Sequence, residues 1–202
     1  MKLLQNRLFE GFFKNAGGMV RPSSKEELLN EIKIRLDRRQ YNLNDIDTSK
    51  ITDMNSLFMQ FSLYDLSKLD ISLWDTHNVI NMRSMFLHCD SFNSDLSRWD
   101  VSNVLDMGYM FEGCRKFNCD LSKWSTGKVT SMYNMFSFCV KFNSDLSKWD
   151  VGSAVTMCNM FYGCINFNSD LSKWNVNNVQ YMNGMFTQSG VKERPDWYDR
   201  WL

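Results

Sequence analysis

The stretch FNSDLSRWDVSNVLDMGYMFEGCRK, residues 92–116, returns as FNCDLSKWSTGKVTSMYNMFSFCVK over 117–141 and as FNSDLSKWDVGSAVTMCNMFYGCIN over 142–166. Working outward from it, Trp74, Trp99, Trp124, Trp149 and Trp174 stand 25 residues apart, and Phe86, Phe111, Phe136, Phe161 and Phe186 keep the same interval. Met82, Met107, Met132, Met157 and Met182 do so as well. A fixed period of this length marks a stacked array, in which each unit contacts chiefly its neighbours and one unit alone buries too little to fold.

Within a unit, Phe92, Leu96, Trp99, Val101, Val104, Met107, Met110 and Phe111 are the recurring apolar positions. Asp95-Leu96-Ser97 alternates polar and apolar as a short strand does. Val104, Met107, Met110 and Phe111 step by three, three and one, which predicts a short helix or 3₁₀ segment ending at Gly113 or Gly163. The expected class is therefore α/β: a solenoid of 25-residue coils, each a short parallel strand plus a short helix. The Trp, Phe and Met columns read as core rather than as a cofactor box.

Four segments follow. Residues 1–18 form an amphipathic appendage built on Leu4, Leu8 and Phe12, read as a tail over the first coil, or as a partner or membrane-surface contact. Residues 19–41 form an N-terminal helical cap, with Ser24 and Glu27 spaced as a capping box and Leu28, Ile32 and Leu36 on one face. Residues 42–187 are the repeats, beginning with the degenerate LNDIDTSKITDM at 43–54 and carrying an insertion near Leu63–Leu69. Residues 188–202, aromatic but out of register, form a C-terminal cap.

Composition narrows function by exclusion. Lys plus Arg equals Asp plus Glu at 23 each, so no basic face points to nucleic acid. No stretch approaches the roughly 18 apolar residues of a membrane span. Arg7, Glu10 and Lys14 interrupt the first apolar run, so a signal peptide is not expected. A cytoplasmic location follows, or a secreted or surface one if a signal has been removed. Cys89, Cys114, Cys139 and Cys164 share one repeat position; coils stacked at about the 4.7–4.9 Å of paired strands would let neighbours bridge, but a reducing cytosol leaves them as thiols.

No catalytic, metal or cofactor constellation is expected. His77 and His88 fall at different repeat positions, and no Cys or His spacing fits a zinc site. Asp70, Asp95, Asp120, Asp145 and Asp170 form a carboxylate column. Its mutual repulsion calls for an offset, read here as a turn and ion-pair ladder with Arg98, Lys123, Lys148 and Lys173. Caps to backbone N–H groups are the other outlet. The candidate partner-binding face is the strand side away from the core: Ser97, Arg98, Ser122, Lys123, Ser147, Lys148, Ser172 and Lys173.

The run FN-x-DLS-x-WD followed by V-x-x-M-x-x-MF, covering residues 42–187, resembles the repeat of the BspA-like leucine-rich-repeat family, described also from Mycoplasma surface proteins. The cap SSKEELLNEI and the closing PDWYDRW resemble a compact version seen in gut bacteria and their phages. The resemblance implies a right-handed leucine-rich-repeat-like solenoid. It also implies proteins that bind other proteins, some exported as adhesins and others small and without a signal. It supplies no catalytic residues. The expectation is a non-enzymatic protein–protein interaction module inside a bacterium or phage, with an unidentified protein partner; the alternative is an exported surface protein.

Overall fold

The structure, a computed structural model, describes residues 18–201. The amphipathic segment expected at residues 1–18 lies outside the described residues except for Gly18. Among those described there is one α-helix, α1 (Lys25–Asp37), and two 3₁₀ segments, Met59–Phe61 and Asp196–Trp201. They contain no continuous strand; the only pairings of that kind are isolated parallel bridges such as Asn81–Asp106, Asp106–Ser131 and Ser131–Thr156. That finding overturns the expected α/β class. No coil carries the strand-plus-helix pair of a leucine-rich-repeat solenoid.

The reason lies in the three-residue steps. Trp99 N–H donates to Leu96 C=O, Val104 to Val101, Met110 to Met107, Cys114 to Phe111 and Phe117 to Cys114, at 2.9–3.2 Å. Each is an i to i+3 turn whose two ends are core residues and whose central residues, the covered Gly108 apart, face out. The spacing of Val104, Met107 and Met110 therefore records a chain of β-turns, and a helix is excluded because Tyr109 (φ 61°) and Gly113 (φ 74°) interrupt it in the left-handed region. The corners are set by side chains. Asp95 accepts from Ser97 N–H at 2.9 Å, Asp100 from Ser102 at 2.9 Å and Asp106 from Gly108 at 2.7 Å. A carboxylate that bonds the amide two residues on pins a turn.

Coils join through a second set of bonds. Met107, Tyr109, Phe111 and Gly113 donate their N–H groups to Ser131, Tyr133, Met135 and Ser137 in the next coil, at 2.7–3.0 Å. Met82 to His88, Met132 to Phe138 and Met157 to Gly163 repeat the pattern. The strand-like edge thus runs through the Met-x-x-Met segment, not through Asp95-Leu96-Ser97, where the alternation placed it.

Stacking aligns the core into columns. Phe86–Phe111, Phe111–Phe136 and Phe136–Phe161 centroids lie 5.5–5.8 Å apart with near-parallel rings. A second column, Phe92, Phe117, Phe142 and Phe167, sits about 4 Å to its side. Each indole reaches back one coil: Trp124 Nε1–H donates to Leu96 C=O at 3.0 Å and Trp149 to Leu121 at 2.9 Å. The shared cysteine position does the same with sulfur, Cys114 donating to Phe86 C=O and Cys139 to Phe111 C=O, both at 2.9 Å. All six cysteines are free thiols.

Both ends are closed. In α1, Ser24 Oγ accepts from Glu27 N–H at 3.3 Å, while the Glu27 carboxylate takes the amide of Ser23 at 2.7 Å, one residue earlier than a capping box assigns. Leu28, Ile32 and Leu36 are buried. Lys25 reaches Asp53 and Asp37 accepts from Tyr64, so the helix lies along the outer flank of the first coil. At the far end Trp197 stacks on Trp174 at 6.5 Å and its Nε1–H bonds Leu171 C=O at 2.9 Å, copying the indole column, while Tyr198 covers Phe186.

Candidate functional site

Two long faces of the stack present polar residues. The first is the Asp-Leu-Ser-Lys face. Here Ser122, Lys123 and Lys148 line an open groove of about 800 Å³ with Asn118, Asp120 and Asp145. The structure brings those three expected residues together; Ser147 lies outside the groove's lining, and Ser97, Arg98, Ser172 and Lys173 continue the same columns in the flanking coils.

Most of this face is engaged by the architecture. The Asn118 side-chain oxygen accepts the Asn143 amide at 2.9 Å, and Asn143 accepts that of Asn168 at 3.0 Å. Ser144 Oγ accepts from Leu121 N–H at 2.9 Å, Ser169 from Leu146 at 3.0 Å. The amides of Ser97, Ser122, Ser147 and Ser172 are held by Asp95, Asp120, Asp145 and Asp170, all at 2.9 Å. These amide bonds hold the four carboxyls below the usual carboxylate range, with the serine hydroxyls adding to the effect. The ion-pair half of the expected ladder is not there. Among the described residues Arg98, Lys123, Lys148 and Lys173 form no salt bridge; the serine amides and hydroxyls offset most of the repulsion, and the basic side chains add a smaller attraction through space. Asp95, Asp120, Asp145 and Asp170 are exposed beside them; among the described residues the basic side chains are the ones with no hydrogen bond of their own.

The second face follows the inter-coil ladder. Its backbone is the same in every unit but its outward residues are not. One column reads Asn81, Asp106, Ser131, Thr156, Tyr181; the next reads Arg83, Gly108, Tyr133, Cys158, Asn183. Between them the buried Met position never changes. In the middle, Arg83 lies over the Tyr109 ring at 4.7 Å and Tyr109 meets Tyr133 at 5.0 Å. A Cβ at Gly108 would stand 3.0 Å from Arg83 Nη1, so the missing side chain admits the guanidinium. Asp106 sits 3.6 Å from it. Burial, with Tyr109 adding to it, raises the Tyr133 phenol above its ordinary value. Glu112 accepts from Asn134 Nδ2 at 2.9 Å, and Asn134 Oδ1 is a buried oxygen without a partner.

In the coil of Tyr133, Phe138 is 45% exposed, and in the next Ile165 is 58% exposed. Phe138 packs edge-on to Tyr162 at 5.1 Å and flanks a pocket of about 440 Å³ with His88, Asp90, Glu112, Gly113 and Arg115. Sequence reasoning passed over this face because it searched for residues that recur. The signal was the opposite one: columns in which consecutive units disagree.

The five buried thiols are poor nucleophiles. Burial pushes Cys89 and Cys164 up to about 12 and Cys119 up to about 11, and raises Cys114 and Cys139 as well. Among the described residues no group of His, Cys, Asp and Glu is placed to hold a metal ion, and no helix is long and apolar enough to cross a membrane.

The family model described as "Mycoplasma protein of unknown function, DUF285" matches residues 29–139 and 119–196. No curated protein and no solved structure matches the chain.

Proposed function

The chain belongs to that Mycoplasma protein family, which its model matches over most of the length, and we propose that it is a non-enzymatic module that binds a partner protein through the ladder face. One observation carries this reading: a repeating backbone holds a set of outward residues that differ from coil to coil. A rigid array with unit-specific side chains is how repeat proteins build an extended surface for one partner. The residue types support it. Tyr, Asn, Ser and Arg at several of these positions are residues that antibody paratopes favour, rigid rings for area and small polar groups for adaptable hydrogen bonds. The Asp-Leu-Ser-Lys face fits less well, since its amides, amides' caps and asparagine oxygens already have partners inside the protein.

The test is affinity capture from the native host with wild type, with Tyr109→Ala/Tyr133→Ala, and with Lys123→Glu/Lys148→Glu. Loss of a partner by the tyrosine variant alone is the expected result. Loss by the lysine variant alone would move the site to the other face. Equal recovery by all three would remove both faces and the reading with them.

A further inference from the structure

The inter-coil ladder is polar along its length. Met132 N–H donates to Thr156 C=O, and the same peptide group continues the column as Met157 N–H to Tyr181 C=O. The Asn134–Asn159, Phe136–Phe161 and Phe138–Gly163 columns run in parallel with it, every N–H directed toward the last coil. Peptide dipoles aligned in this way add and polarise one another, as they do in a helix. The columns arrive at Met182, Gly184, Phe186 and Gln188, the counterparts of Met157, Asn159, Phe161 and Gly163. Among the described residues these last N–H groups have no acceptor.

The two caps treat the ladder differently. α1 lies along the first coil where the columns begin, with Lys25 at Asp53 and Asp37 at Tyr64. Trp197 and Tyr198 cover Trp174 and Phe186, which closes the core and leaves the last rung open. Tyr181, Asn183, Thr187 and Gln188 are exposed where Thr156, Cys158 and Tyr162 are half-buried and Gly163 is buried. Residues 174–191 contain no charged residue and no proline, two devices that keep an edge from pairing. A row of donors also selects what can sit on it. Two last coils would bring donors against donors, and α1 keeps a last coil off the first.

From this donor-only edge we propose that the last coil takes up an extended segment of a partner protein, whose backbone carbonyls accept from Met182, Gly184, Phe186 and Gln188 in the place a further coil would fill. The proposal rests on the protein-binding reading above and names what the partner presents. The positive end of the dipole columns favours its carbonyls. Main-chain bonds supply the affinity in such strand addition, so extended shape counts for more than side-chain identity.

The experiment follows amide exchange by nuclear magnetic resonance on the full, isotope-labelled chain. In the free monomer the amides of Gly184 and Gln188 should exchange at least about tenfold faster than those of Asn159 and Gly163. The probe is an acetylated, amidated octapeptide alternating threonine and valine. Its addition should slow exchange at the last rung and leave the inner rungs unchanged. A backbone ester in place of the Gly184 amide, made by semisynthesis, removes one donor and no side chain. Peptide binding should then weaken about fivefold, with a melting temperature lowered only slightly through the weaker ester carbonyl that Asn159 donates to. Equal protection of the two rungs without peptide, failure of the peptide to slow the last rung, or undiminished binding by the ester chain overturns the proposal. Protection that grows with protein concentration alone would assign the edge to a second copy and overturn it too. If the peptide fails while Tyr109→Ala/Tyr133→Ala still loses a captured partner, the proposal falls and the protein-binding reading stands.

Discussion

The two long faces of the stack obey different rules. On the Asp-Leu-Ser-Lys face the polar residues repeat almost letter for letter, and the Asp, Asn and inner Ser side chains bond backbone groups, in their own coil or a neighbouring one. On the ladder face the backbone bonds itself, so the side chains there are released from architectural duty and differ from coil to coil. Repetition in this protein marks what builds the stack. Disagreement between repeats marks what the stack is free to offer.

The comparison breaks most sharply from within. Trp124→Ala removes a 4% exposed indole and its bond to Leu96 C=O, and should cost about 3–5 kcal/mol in chemical denaturation. An unchanged midpoint would mean that the repeated columns do not carry the stability. Gly113→Ala comes next. The left-handed backbone alone should cost about 1–2 kcal/mol, and the new Cβ would stand 2.6 Å from His88 Nδ1. A double-mutant cycle with His88→Ala should return the second part and leave the first.

Acid probes the repeated face specifically. The carboxyls of Asp95, Asp120 and Asp145 are held low by the serine amides. A depressed folded-state value means that their contribution is complete above the unfolded carboxylate value and is lost as pH falls through the native ones. Melting temperature should therefore hold from pH 7 to about 5 and decline below about 4. Asp95→Asn/Asp120→Asn/Asp145→Asn, which keeps the accepting oxygen, should flatten that decline, as Asn175 already caps Asn177 at 3.2 Å without a charge. The smallest expected effect is Lys123→Glu/Lys148→Glu, within about 0.5 kcal/mol of wild-type stability. A larger loss would show that the basic column shields the carboxylates after all.

The period, the core columns, α1 and the aromatic closure at Trp197 were all legible, because each depends on large apolar side chains at a fixed interval. The shape of the coil was not. Leu96 to Trp99 and Met107 to Met110 are three apart both in a helical turn and across a β-turn, and in the Met-x-x-Met segment left-handed residues such as Ser84, Tyr109 and Asn134 separate the two. A serine, a tyrosine and an asparagine at one position carry no common signature of that geometry. The expected binding face followed from the same reading: Asp95-Leu96-Ser97 alternates as a strand does, whereas the inter-coil ladder runs past Arg83, Tyr109 and Tyr133, whose columns vary in residue type from coil to coil.

The overlap of His88 on Gly113 and of Phe138 on Gly163 has a genetic corollary. Large and absent side chains alternate along that column, so its true repeat is two turns of the chain rather than one. Duplicating residues 117–141 in tandem would set one phenyl group against the Cβ of another, whereas copying 117–166 as a block would preserve the alternation. Such a gene should grow and shrink by twos.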